Sequence, residues 1–376
     1  MPEGTPFSHP SHASEWQPAV DARIARSVST SHRMANPFVR LLWLALLCAP
    51  YHGIPAAFLF PTANRTLLTQ GGESAFFVGT AGKPWTSGQF GCVRSNGNQM
   101  HEGIDIRCQR RDARGEPIDP VMASADGTVA YINLKQGLSN YGIYVILRHR
   151  IEGLEVFTLY AHLKQPKAGL RVGQTVGAGE TIGVMGRTSN TRQAITQDRA
   201  HLHFEINILL NDQFTSWHAK NNPGMRNDHG LWNGRNLLGI DPSAVFKAQS
   251  TLGKSFSLLD HIRNQRELCR VLVRDTRFSW IKRSVPLIRR NPIADREGIA
   301  GFEIAFNFNG VPFQLVPRAA SEIKGGGRIQ LLHVNAAEAQ SHGCRHLVRM
   351  GRKGWELAPK GTTLVESLIY SNSLSK

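Results

Sequence analysis

Two short strings constrain the fold of this chain more than any other feature: His-Glu-Gly-Ile-Asp at residues 101–105 and His-Leu-His-Phe-Glu at residues 201–205. Between them stands Tyr160-Ala161-His162-Leu163. Residues two apart on a strand point to one face, so His201 and His203 converge only if their segment is extended. Their strand-prone neighbours Phe204, Ile206 and Ile208 favour that form. A sheet can then gather four imidazoles and one carboxylate at a single point. Zinc in a catalytic site takes three protein ligands of this kind and keeps a fourth position for water.

The surrounding sequence supports a sheet. From about residue 121 to 208, short β-prone runs alternate with glycines. Asp126-Gly127 predicts a hairpin turn between residues 121–123 and 127–132. Residues 141–147 and 156–160 predict two more strands. Val172, Val176, Ile182 and Val184 are the apolar teeth of a glycine-punctuated run. Short strands without a long helical period predict a mainly β fold. Residues 210–237, rich in Asn, Trp and Gly, read as an inserted loop. Residues 244–249 read as a short closing helix.

The length of 376 residues leaves room for two domains. Residues 1–60 read as a tail and targeting segment, 61–94 as a lead-in able to cover a groove, and 95–249 as the β domain that carries the motifs. Residues 250–376 read as a small, β-rich, basic accessory domain. There Phe302, Ile304, Phe306 and Phe308 alternate up to an Asn309-Gly310 turn, which predicts a hairpin with Pro312 on an edge strand. Residues 364–370 read as a further strand. The net charge is +16, and more than half of it falls in residues 250–376. Such a surface favours anionic partners. No zinc-finger spacing and no basic stripe interleaved with aromatics is present, so nucleic acid is not an expected partner.

Arg33 and Arg40 flank the start of an apolar run at residues 41–49, too short to span a bilayer comfortably and followed by Pro50, Pro55 and Pro61. The segment reads as a secretory signal, with an uncleaved anchor over residues 41–60, in contact with the membrane, as the alternative. The start is Met1 or Met34. Five cysteines occur, and with Cys48 inside the signal four remain. An even number in an exported chain suggests disulfides. Cys92 with Cys108, and Cys269 with Cys344, is the expected pairing among three. The sequence carries no signal for oligomeric state.

Taken in order, the H-x-x-x-D, Tyr-Ala-His-Leu and H-x-H strings resemble the lysostaphin/LytM-type zinc metallopeptidases. The resemblance extends through Ala125-Asp126-Gly127-Thr128-Val129, Gly173-Gln174-Thr175-Val176, Gly179-Glu180-Thr181-Ile182-Gly183 and Gly186-Arg187-Thr188, and covers roughly residues 95–247. It implies an antiparallel β-sheet domain with a narrow groove over one zinc. By that resemblance His101, Asp105 and His203 hold the metal. His162 and His201 are catalytic, flanking the metal-bound water and the oxyanion, and which does which stays open. The substrate implied is the stem or cross-link peptide of bacterial peptidoglycan, met in the cell envelope. Glu205 is either a positioning partner for an imidazole N–H or a surface strand residue. Asn140 is either part of the groove wall or a plain turn. His149 and His229 read as structural.

The alternative function is a non-catalytic envelope regulator that activates another wall hydrolase. Degenerate members of the family lose ligands, whereas this chain keeps all five positions. A separate string, Ser341-His342-Gly343-Cys344, resembles the nucleophile segment of L,D-transpeptidases. Arg345 follows the Cys directly, however, and His346 takes the expected Arg position, so a disulfide or buried role for Cys344 is expected instead.

Overall fold

The computed structural model describes residues 58–191 and 194–371. Residues 1–57 of the expected targeting segment, Cys48 among them, lie outside the described residues. Among the described residues no helix is long and apolar enough to cross a membrane.

The chain is mainly antiparallel sheet. β1 (Gly91–Arg94) and β2 (Gln99–His101) form a ribbon. A nine-stranded sheet follows, built from β3 (Ile104–Arg107), β4 (Pro120–Met122), β5 (Gly127–Asn133), β6 (Ile143–Ile151), β7 (Leu154–Pro166), β8 (Thr175–Val176), β9 (Thr181–Met185), β10 (His201–Leu209) and β11 (Leu237–Ile240). Its main order is β11-β10-β7-β6-β5-β8; β3 adds to β10, and β4 joins through β9, which pairs β7.

The two faces of the central strands have separate jobs. In β6, Val145 and Leu147 enter the main apolar cluster, while Tyr144 and Ile146 enter a second one on the opposite face. β10 divides more sharply. Leu202, Phe204, Ile206 and Ile208 fill the main cluster. His201, His203, Glu205 and Asn207 form the other face, and all of them are buried. Burying an aliphatic or aromatic side chain stabilises by roughly 1.5–3 kcal/mol. The apolar face of β10 therefore offsets the cost of holding a polar face away from water.

The main cluster continues from Phe58 and Phe60 into the C-terminal residues as far as Ile369. There β12 (Cys269–Val273), β13 (Gly301–Phe306), β14 (Pro312–Arg318) and β15 (Ile329–Val334) form a sheet in the order β14-β13-β12-β15. A last ribbon pairs β16 (Val348–Gly351) with β17 (Gly354–Leu357). Polar links join this part to the nine-stranded sheet: Asn309 Nδ2 donates to Gly239 O (2.8 Å), and Arg283 donates to the carbonyls of Leu209 and Leu210 (both 3.1 Å). A Cys92–Cys344 disulfide adds a covalent link over a sequence separation of 252.

The hairpin across Asn309-Gly310 forms as expected, with Gly310 at φ +85° and Pro312 on the edge strand. Four expectations are corrected. Asp126-Gly127 does not close a hairpin: β4 pairs β9, and β5 pairs β6 and β8. The turn is held instead by Asp126 Oδ1, which accepts from Ala178 N (2.8 Å), and by its carbonyl, which faces His149 Nδ1 (2.8 Å). The inserted loop at 210–237 contains a helix, Phe214–Asn221, docked through Phe214 and Trp217. Residues 364–370 are not a strand, because a helix Pro359–Leu368 starts at a proline and buries Leu364, Val365 and Leu368 on one side. The cysteines pair as Cys92–Cys344, leaving Cys108 and Cys269 as buried thiols. The expected pairing failed because it assumed local stapling, whereas docking of the C-terminal part brings Cys344 to β1.

Candidate metal centre

Three strands deliver the site. Asp105 of β3 lies directly opposite His203 of β10, and His203 is in register with Ala161 of β7 on its other side. His101 ends β2 and enters from the ribbon. His162 follows Ala161 with φ +60°, beside a register irregularity between β6 and β7. A non-glycine residue rarely adopts that conformation, and a bulge of this kind re-aims a side chain. Here it brings the His162 ring to 4.8 Å from His201 and 5.9 Å from His203, centroid to centroid.

The hydrogen bonds fix which ring nitrogens face inward. His101 Nδ1 lies 2.6 Å from Gln89 O, His162 Nδ1 2.8 Å from Thr188 O, and His201 Nδ1 2.6 Å from Arg199 O. His203 Nε2 lies 2.7 Å from Glu205 Oε1. A carbonyl oxygen only accepts, so Nδ1 of His101, His162 and His201 carries a hydrogen and their Nε2 turns inward, while His203 stands between two carboxylates, Glu205 at Nε2 and Asp105 at Nδ1. Four ring nitrogens therefore face one region: Nε2 of His101, His162 and His201, and Nδ1 of His203. His101 Nε2 and His203 Nδ1 stand 3.1 Å apart, and they lie 3.2 and 3.0 Å from Asp105 Oδ1. Ligand atoms of His101, Asp105 and His203 all fall within 4.8 Å of one another. Two imidazole nitrogens and a carboxylate gathered this closely form a donor set that a cation can occupy once the imidazoles are neutral. The donor set fits zinc, which takes imidazole nitrogen and carboxylate oxygen.

The surroundings tune these groups. Burial alone would raise the Asp105 carboxyl, but the charges of His101, His201 and Arg94 hold it well below its ordinary value. Burial disfavours a charged His203, yet its bonds to Asp105 and Glu205 raise it to about 9. Burial pushes His162 well down, and His201 down as well. Glu205 is fully buried and anchors the inner wall. It meets His203 and Tyr141 Oη at Oε1 and Asn207 Nδ2 at Oε2, each at 2.7 Å. The surface-strand alternative for Glu205 is thereby removed.

Sequence reasoning missed Arg94. Its Nη2 lies 2.5 Å from Asp105 Oδ2 and 3.0 Å from His101 Nε2, so a guanidinium reaches the cluster from β1. No motif marks it, since it stands alone seven positions before His101. The centre opens into a groove of about 580 Å³. Asn140 and Tyr141 line one side, and Thr80, Lys83 and Pro84 from the lead-in line another. His149 lies apart, buried between Asp126 O and Thr158 Oγ1, and His229 bonds Tyr144 Oη. Cys344 is held in its disulfide and offers no nucleophile in that state.

A sequence model of peptidase family M23 matches residues 99–215. No curated protein matches the chain. Similar solved structures include a zinc-containing peptidase from Vibrio cholerae (26% identity, 28% of this chain and 26% of that one, TM-score 0.22). Csd3 from Helicobacter pylori is another (25% identity, 29% and 23%, TM-score 0.21). The catalytic domain of the antimicrobial peptidase lysostaphin from Staphylococcus simulans is a third (24% identity, 32% and 74%, TM-score 0.22). The chain thus spans about a quarter of the length of the first two. The matched residues hold His101, Asp105, His162, His201 and His203. Residues 99–215 therefore match peptidase family M23, the family that their motifs resemble.

Proposed function

We propose that the chain is an exported zinc metalloendopeptidase that hydrolyses peptide bonds in the stem or cross-link peptides of bacterial peptidoglycan. One observation carries the reading: imidazole nitrogens of His101 and His203 converge on the buried Asp105 carboxylate in an open groove. Zinc, when held by His101, Asp105 and His203, supplies a Lewis acid for the scissile carbonyl and acidifies a water.

The remaining work falls to His162 and His201. Both keep hydrogen at Nδ1 and an acceptor at Nε2, which is the form a general base needs. One Nε2 takes the proton of the attacking water and returns it to the leaving amine. An imidazole that holds this proton also has an N–H to offer the oxyanion. The carbonyls of Thr188 and Arg199 keep the two rings from turning. Glu205 holds His203 with its Nδ1 toward the metal position, a role that partners of ligating histidines commonly have.

Export is supported by the Arg-flanked apolar run near the N-terminus and by the Cys92–Cys344 disulfide, which suits an oxidising compartment. The basic surface suits an anionic wall polymer. The test is incubation of the zinc-loaded full chain with purified sacculi, with products identified by mass. Release of peptides that disappears in His203→Ala supports the reading. A folded, zinc-loaded chain that releases none overturns it.

Arg94 favours a second reading, a metal-free regulator, because it satisfies Asp105 and His101 without an ion. Zinc affinity by chelator competition separates the two. For the enzyme, the wild-type chain takes up one zinc and Arg94→Ala binds it about tenfold more tightly, having lost a competing charge. A wild-type chain that refuses zinc while Arg94→Ala accepts it supports the regulator.

A further inference from the structure

A second cavity of about 550 Å³ lies beside the metal groove, and the two share a wall: Gln99, Met100 and Glu102 line both. Its far side comes from two distant stretches. Phe214 and Trp217 belong to the helix after β10, and Arg345 and Lys360 belong to the C-terminal part. We propose that this cavity is a subsite for a carboxylate-bearing peptide segment, the acidic flank of the same substrate that lies across the metal groove. The proposal rests on the peptidase reading above and specifies its substrate.

Charge is the first argument. Arg235, Arg345 and Lys360 line the cavity against one carboxylate, Glu102. Arg345 is the informative member. Its side chain is 24% exposed, and its ion-pair partner Glu102 stands 3.7 Å away. Burial there pushes the guanidinium down, against the pull of Glu102. A guanidinium has five donors in a planar fork suited to carboxylate. A ligand carboxylate would complete that fork and offset the lost hydration.

Shape is the second argument. Phe214 and Trp217 are buried and give the cavity an apolar floor, and the Arg235 guanidinium lies over the Trp217 ring at 5.7 Å. An apolar floor with a few converging charges suits a peptide better than a bare anion. Continuity is the third. Gln99 and Met100 of β2 line both cavities, so an extended peptide that crosses β2 from the groove reaches this one within a residue or two of chain. Cys344 also lines the cavity and is bonded to Cys92 of β1, so the disulfide fixes Arg345 relative to the groove.

The test uses the full chain with His162→Ala, to prevent turnover, and calorimetry with the tetrapeptide Ala-Glu-Lys-Ala as free acid and as its diamide. The free acid is expected to bind about tenfold more tightly than the diamide, the effect of one charge-assisted pair. Arg345→Gln should erase the difference and leave diamide binding unchanged. Arg345 packs beside the disulfide, so the exposed pair Arg235→Gln and Lys360→Gln provides a second variant with intact folding, expected to reduce the difference. Equal binding of acid and diamide overturns the proposal. So does an acid preference that survives all three substitutions, or equal displacement of the peptide by glycerol phosphate. If the unsubstituted chain releases nothing from sacculi while the acid preference persists, the subsite stands and the peptidase reading falls.

Discussion

Glu205, two positions on from His203, meets its Nε2 and leaves its Nδ1 toward Asp105. The sequence left Glu205 open between a positioning partner and a surface strand residue; its burial against His203 decides for the first. The rule that alternate residues of a strand share a face gave His201 and His203 as neighbours. Arg94 was not legible, because its role depends on where the β1–β2 ribbon folds over the groove and on no spacing within the sequence. At this scale the division of labour is testable. His162 Nε2 is outside the set of three ligand atoms, so His162→Ala should keep its zinc and lose about 10²–10⁴ in kcat. Metal analysis beside hydrolysis rates checks both halves. Loss of zinc together with activity would place His162 among the ligands.

At the scale of elements, the site depends on how closely β3 approaches β10. Gly103 just precedes β3, and a Cβ there would stand 2.3 Å from Phe204 O and 2.8 Å from Glu205 Cγ. Gly103→Ala must push β3 away from β10 and draw Asp105 from His203. The expected result is a stability loss of about 1–3 kcal/mol by denaturant titration, with weakened zinc uptake. An unchanged zinc affinity would show that the pair tolerates the shift. The strands around the motifs were legible because their hydrophobic period is short and glycines mark their ends. Two elements misled for a physical reason. Thr362, Thr363 and Val365 favour a strand locally, but Leu364, Val365 and Leu368 bury together only on a helix. Asp126-Gly127 has turn chemistry, yet pairing went to strands further along the chain. Local propensity cannot name the partner of a strand.

At the scale of the whole molecule, one apolar cluster joins residues on both sides of position 250, and a disulfide reinforces the joint. Cys344→Ser should lower stability by about 2–4 kcal/mol, read by denaturation of the oxidised proteins. Acid should weaken the fold as well. Burial holds the His149 imidazole below its usual 6.5, and His229 and His261 shift the same way. The unfolded chain then binds more protons than the native one below pH 6.5, so stability is full above that value and falls as pH drops through it. Urea midpoints at pH 5 and 7.5 should differ in that direction, and His149→Gln should shrink the gap. A gap unchanged by His149→Gln would assign the acid sensitivity to other groups.

The long reach of the Cys92–Cys344 bond also sets an order of events in time. A chain that emerges from its N-terminus presents β1, Arg94 and the His101, Asp105 and His203 cluster well before Cys344 follows. Until then the ribbon that carries Arg94 and His101 has no covalent tie on its outer side. The β1–β2 wall of the groove is therefore tied only after residue 344 has been made. A nascent or truncated chain can thus hold the ligand set while its mouth is still unfinished.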